Sequence, residues 1–332
     1  MSFLLAMLML MGQGLSGGLA AHAAGPLKVA LVLDKGGRDD KSFNAAAFGG
    51  AQKAEKELGI QLKTVEASDE NSYEPFLRKF AEKDFDLIIA IGINQADAVK
   101  KVSGQFPTKK FVIVDAEVKN PNVKTILFQE HEGSYLVGAL AAMASKTGKV
   151  GFIGGMDIPL IRRFEMGFEA GAKRINPKVK MTSNYIGVTG DAWNNPPKAK
   201  ELALSQYSAG VDVIFAAAGA SNLGLFDAAE ERKKLAIGCD SNQNWIKPGF
   251  VLTSMLKRVD VAVFNAVKDL TQGKFQPGLA RFGLASEGID FAVDQRNEKL
   301  LTKDMLMRVK ALKAEIIAGK ISVPDYYKKN AK

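Results

Sequence analysis

The sequence predicts an α/β fold of two similar lobes, each built around a doubly wound parallel sheet. Three observations predict it. Short apolar runs alternate with helical stretches along most of the chain, the order that gives right-handed βαβ units. Several runs are continuous Val, Ile and Leu, as strands buried on both faces require. The pattern then restarts. Lys28-Val-Ala-Leu-Val-Leu-Asp34 is echoed by Lys149-Val-Gly-Phe-Ile-Gly-Gly155. Asp86-Leu-Ile-Ile-Ala-Ile-Gly92 is echoed by Asp212-Val-Ile-Phe-Ala-Ala-Ala218, and Phe111-Val-Ile-Val-Asp115 by Ala236-Ile-Gly-Cys-Asp240.

Taken in order, the strand candidates are 28–33, 62–66, 87–91, 111–114, 125–128, 149–153, 182–186, 211–216, 235–238 and 251–255. The first ends in Asp34, and a Gly36-Gly37 turn leads to a polar cluster that opens a helix over 42–58. That helix carries Ala47, Ala51, Ala54 and Leu58 on one stripe, and Gly59 stops it. Helices are predicted over 132–145, 160–174, 198–208, 223–232 and 259–271. So many strands exceed one comfortable sheet. The lobes are drawn as 27–128 plus about 254–285 and 132–250 plus about 290–325, with more than one crossing of the chain between them.

The first residues differ from the rest. Met1 to Ala23 hold no Lys, Arg, Asp or Glu, and Ala21-His22-Ala23 has a small-x-small pattern. This reads as a secretory signal peptide over 1–23, with an apolar run too short to span a membrane. The sole cysteine, Cys239, lies far from that leader. No disulfide framework is expected, and a periplasmic protein that is not a lipoprotein is. The net charge of +9 is spread over helical stretches, without aromatic interleaving or an arginine-rich run. Nucleic acid is therefore not an expected partner.

With His22 in the leader, His131 is the only imidazole left, which excludes a multi-histidine metal site. No cofactor or metal is expected. Gly151-Phe-Ile-Gly154-Gly155 does not have the G-x-G-x-x-G spacing, and Gly219-Ala-Ser-Asn-Leu-Gly224 has no Lys-Ser/Thr. Both are read as tight strand-to-helix turns.

The polar residues that remain stand at equivalent strand ends. Asp34, Asp115 and Asp240 each close an apolar run, Phe43 and Asn44 open the first helix, and Lys257 follows the run at 251–255. Trp193 lies in a loop beside two asparagines and a proline, and Gly219 follows another strand. In open α/β sheets ligands bind at the carboxyl ends of the strands. Carboxylates and an ammonium answer hydroxyls and ring N–H groups, and aromatic faces answer a flat ring. Two other readings of these residues stay open. Paired aspartates suit acid–base catalysis, although no metal cluster or positioned nucleophile accompanies them. A periplasmic co-receptor or sensor domain would use the same cleft.

The ordered set Asp40-Lys-Ser-Phe-Asn44, Val112-Ile-Val-Asp115, Gly133-Ser-Tyr-Leu-Val-Gly138, Lys149-Val-Gly-Phe-Ile-Gly-Gly-Met156, Ala217-Ala-Gly219, Ile237-Gly-Cys-Asp240-Ser-Asn-Gln243 and Thr253-Ser-Met-Leu-Lys257 resembles the basic membrane protein family of ABC-transporter solute-binding proteins. That family includes the PnrA-like purine nucleoside receptors. The resemblance runs from Lys28 to about Lys320. It implies a type I periplasmic-binding fold, two lobes joined by about three hinge crossings, and no enzymatic activity. It further implies capture of a nucleoside, purine favoured, for an ABC permease in the inner membrane. By position, Asp34, Asn44 and Asp115 would face the base, with Phe43 and Trp193 stacking on its two faces. Asp240 and Lys257 would hold the ribose, and Gly219 would contribute backbone. Tryptophan at 193 departs from the family's usual phenylalanine. A monomer is expected, since one cleft per chain suffices.

Overall fold

The computed structural model describes residues 25–329; the predicted signal peptide lies outside the described residues. The first lobe opens with β1 (Lys28–Leu33), α1 (Phe43–Leu58), β2 (Gln61–Glu66), α2 (Tyr73–Ala81), β3 (Leu87–Ile91), α3 (Ala96–Gln105), β4 (Lys110–Val114) and β5 (Val123–Phe128). The second continues with α4 (Glu130–Ala144), β6 (Lys149–Met156), α5 (Pro159–Ile175), β7 (Lys180–Gly187), α6 (Pro196–Ser208), β8 (Val213–Ala217), α7 (Asn222–Arg232), β9 (Leu235–Asp240) and β10 (Val251–Lys257). The chain then adds α8 (Val259–Thr271), β11 (Gly278–Phe282), β12 (Ile289–Phe291), α9 (Lys303–Ile317) and the short α10 (Tyr326–Lys329).

The strands form two six-stranded sheets, ordered β11-β5-β4-β3-β1-β2 and β12-β10-β9-β8-β6-β7. The two orders are the same once β6 to β10 are set against β1 to β5, so the internal echo read from the sequence is a real structural repeat. Every pairing is parallel except β10 with β12. Strands β1, β3, β4 and β8 are buried almost throughout, because helices cover both faces of a parallel sheet.

Among the described residues the chain changes sheet three times, after β5, after β10 and after β11. The crossings lie side by side. The Gln129 N–H donates to the Phe282 carbonyl at 2.7 Å, and the Arg258 N–H donates to the Gly288 carbonyl at 2.9 Å. Strand β10 belongs to the second sheet as far as Lys257, and α8 then packs on α1 of the first lobe.

Close backbone approach sets the helix pairs. A Cβ at Gly50 would meet the Asp260 backbone of α8, and Cβ atoms at Gly138, Gly167 and Gly171 would meet the backbone between α4 and α5. All ten predicted strands are present. Strands β11 and β12 and helices α2, α3, α9 and α10 have no counterpart in the sequence reading. The reason is visible in β11: Gly-Leu-Ala-Arg-Phe is a half-exposed edge with no apolar run. One expectation is corrected. Gly151, Gly154 and Gly155 are not a turn but lie within β6, where glycine admits Gln206, Tyr185 and Trp193 side chains against the strand.

Candidate functional site

The carboxyl ends of both sheets face one cavity between the lobes, the place where open α/β sheets bind ligands. All eight residues selected from the sequence line it: Asp34, Phe43, Asn44, Asp115, Trp193, Gly219, Asp240 and Lys257. Lobe one supplies the first four and lobe two the rest.

Asp34 follows β1 directly. Its backbone N–H donates to Asn44 Oδ1 at 3.0 Å, and its carboxylate accepts from the Lys35 N–H and the Tyr73 hydroxyl. Burial raises its pKa above the ordinary carboxylate range. Capping of α1 falls to Asp40, whose carboxylate accepts the N–H groups of Ser42, Asn44 and Ala45 at 2.8–2.9 Å. Burial pushes the Asp40 pKa up to about 6 despite those bonds. Because Asp40 satisfies the helix start, Asp34 is left to face the cavity.

Asp115 and Asp240 occupy equivalent places, just past β4 and at the end of β9. Both have left-handed backbone, with φ of 71° and 65°. Few non-glycine residues adopt that conformation, and aspartate is among the more tolerant. The turn aims each carboxylate off the sheet end. Burial raises both pKa values, with Lys257 partly offsetting it. Asp115 Oδ1 is buried without a protein partner among the described residues.

Lys257 is 2% exposed. Its ammonium donates to Asp115 Oδ2 at 2.5 Å and forms an ion pair with Glu130 Oε1 at 3.1 Å. It also lies 5.0, 5.2 and 5.6 Å from the ring centroids of Phe43, Phe128 and Phe164, close enough for cation–π attraction. Burial alone would lower its pKa, but Asp115, Glu130 and Asp240 outweigh burial and raise it. One of its three N–H groups is hydrogen-bonded, to Asp115, so the ammonium keeps donor capacity for a ligand.

Behind Lys257 stands a network that the sequence reading did not find. Glu130 Oε2 accepts from Arg163 at 2.7 Å, and Arg163 also donates to the Phe128 carbonyl and to both oxygens of Asp325. Glu130 is 1% exposed and Arg163 is 3% exposed. The detectable signal was a charged helix start, Gln129-Glu130-His131-Glu132. The neighbouring His131 does not line the cavity; burial lowers its pKa to about 4.

Trp193 is held by its neighbours. Ser221 Oγ donates to the Ala192 carbonyl and accepts the Asn195 N–H, both at 2.7 Å. Asn195 in turn caps α6. The indole packs over Gly155, and Gly219, with φ of 60°, lies under the Trp193 backbone. Gly155→Ala is therefore expected to push the ring aside and destabilise the fold by about 1–3 kcal/mol. With Trp245→Phe as background, Trp193 is the only indole of the chain. A red-shifted emission and a lower unfolding midpoint are expected; unchanged emission would show that the glycine is not what seats the ring.

Among the described residues no group of three or more His, Cys, Asp and Glu could hold a metal ion, and no helix is long and apolar enough to cross a membrane. The cavity offers three aromatic side chains, Phe43, Phe164 and Trp193, several carboxylates and one partly engaged ammonium. The chemistry such a set offers is hydrogen bonding to hydroxyl and N–H groups and stacking against a flat ring.

A family model described as "ABC transporter substrate-binding protein PnrA-like" matches residues 27–326. The protein named ABC transporter nucleoside-binding protein BmpA of Lactococcus lactis is 33% identical over 322 residues, covering 90% of this chain and 89% of its own. An uncharacterised lipoprotein of Pyrococcus abyssi is 34% identical over 281 residues, 80% of this chain and 69% of its own. Among solved structures, an ABC transporter solute-binding protein from Aeropyrum pernix matches with a TM-score of 0.83 at 30% identity, over 90% of this chain and 94% of that one.

Proposed function

The chain belongs to the family of PnrA-like ABC transporter substrate-binding proteins, and we propose that this member captures a nucleoside, purine favoured, in its interlobe cavity. Its two lobes form the type I periplasmic-binding fold. Membership makes it a receptor rather than an enzyme. In the proposed complex Phe43 and Trp193 stack on opposite faces of the base, and Asp34, Asn44 and Asp115 read its edge. Asp240 and the Lys257 ammonium hold the ribose hydroxyls, with Gly219 supplying backbone.

One observation carries this reading: a single cavity joins an aromatic side chain from each lobe to carboxylates at equivalent strand ends. The name of the Lactococcus relative points the same way. The protein hands its ligand to an ABC permease in the inner membrane and works as a monomer. It acts outside the cytoplasm. The Pyrococcus relative is named a lipoprotein, and detergent partitioning of the native protein tells an anchored form from a free one.

The direct test is a thermal-shift series on the protein without residues 1–23. Ligands that bind only the native state raise the melting temperature by mass action. Inosine, guanosine and adenosine are expected to raise it, and free bases or ribose alone to raise it little. A shift from sugars or amino acids with none from nucleosides would discard the nucleoside assignment and leave the receptor fold standing.

A further inference from the structure

Ser42 belongs to the first lobe, yet its side chain is spent on the second. It is fully buried, and its N–H is held by Asp40 at 2.8 Å. Its hydroxyl lies 2.6 Å from Asp240 Oδ2 and 3.1 Å from the Cys239 carbonyl. A hydroxyl has one proton to donate, and the nearer carboxylate oxygen takes it. The second lobe reaches back. Ser241 Oγ donates to the Ser42 carbonyl at 2.8 Å, and Gln243 Nε2 donates to the Lys41 carbonyl at 3.0 Å. Lys41 has φ of 57°, a turn that brings both carbonyls to face the other lobe. Gln243 is fully buried, and its Oε1 accepts from the Cys239 N–H and from Asn222. The reaching side is therefore rigid.

We infer that Ser42 is a positioning residue for the ligand, acting through Asp240, and that the Lys41–Ser42 and Cys239–Gln243 segments form a clasp tying lobe closure to the orientation of that carboxylate. The aspartate χ2 torsion has a broad minimum. Fixing one oxygen to Ser42 sets where the other points before a ligand arrives. Since the fixing group sits on the opposite lobe, Asp240 is oriented only when the lobes are together. Anything that binds the oriented carboxylate favours closure, and closure favours binding by the same factor. A ligand on Asp240 and the clasp then reinforce each other. For the choice of probe the inference rests on the nucleoside reading; for the clasp itself it does not.

The experiment uses spin labels on Lys101→Cys and Glu201→Cys, exposed positions on α3 and α6; the native Cys239 is buried. Interlobe distances are measured without ligand in otherwise wild-type and Ser42→Ala protein, with circular dichroism to confirm folding. Ser42→Ala is expected to shift the distribution to longer distances. With inosine or guanosine it is expected to bind about tenfold to a hundredfold more weakly, the size of a hydrogen bond to a charged group, and chiefly through faster dissociation. Ser42→Ala combined with Asp240→Ala is expected to bind no more weakly than Asp240→Ala alone, because both changes remove one interaction. Fully additive losses, or an unchanged distance distribution in Ser42→Ala, would overturn the inference. If no nucleoside binds the wild type, the nucleoside reading fails, and the distance comparison still decides for or against the clasp.

Discussion

Lys257→Met is expected to destabilise the protein by about 3–5 kcal/mol, the loss seen when one partner of a buried ion pair is removed. The ammonium is the nearest cation to Asp115 and is shared with Glu130. Methionine fills much of the same volume among Phe43, Phe128 and Phe164, so packing changes little and charge changes most. Arg163 still holds Glu130, but Asp115 is left facing Glu130 and Asp240 without compensation. The folded-state pKa values of Asp115 and Asp240, already raised by burial, then rise further above the unfolded ones. A carboxyl raised on folding contributes stability that is present below its unfolded pKa and lost as pH climbs through the folded value. The gap between the variant and the wild type is therefore expected to be widest near pH 8 and to narrow toward pH 5. Urea unfolding at both values measures it. A gap that widens toward pH 5 would reverse the sign and show that Lys257 is not what keeps these carboxylates ionised.

Asp240→Ala carries the second large effect, on the ligand rather than on the fold. It removes a carboxylate that lines the cavity and accepts the Ser42 hydroxyl from the opposite lobe. Affinity for whichever nucleoside the wild type binds is expected to fall about a hundredfold or more, from a charge-assisted hydrogen bond of roughly 1.5–3 kcal/mol together with the lost clasp. Lys178→Ala, an exposed position beyond α5, is expected to bind as the wild type does. The two properties should part company. Burial raises the Asp240 pKa, so the charge is kept at some expense to stability. Its left-handed backbone is harder on alanine than on aspartate, which works against that relief. The unfolding free energy at pH 8 is therefore expected to change by no more than about 1 kcal/mol. Calorimetric titration and urea unfolding of the same samples read both. Wild-type affinity would remove Asp240 from the site, and a large loss of stability with unchanged affinity would make it a structural residue.

Much of this architecture was open to a reader of the sequence because its causes are local. A strand buried on both faces must be apolar at consecutive positions, so β1, β3, β4 and β8 announce themselves as runs. A helix lying on a sheet needs one stripe, and Ala47, Ala51 and Ala54 form it. The internal echo places Asp115 and Asp240 at corresponding strand ends, and those ends converge on one cavity. Where the local cause is weak, the reading stopped: β11 is a half-exposed edge, and the glycines of β6 look like a turn until Trp193 is seen to lie on one of them. Tertiary structure alone decided the partners of the charges. Lys257 meets Asp115 from 142 positions away, Arg163 meets Asp325 from 162, and Ser42 meets Asp240 from 198. No period or spacing encodes such pairs. They exist because two sheets and three crossings bring distant strand ends into one water-poor space, where an unpaired charge is too costly to leave alone.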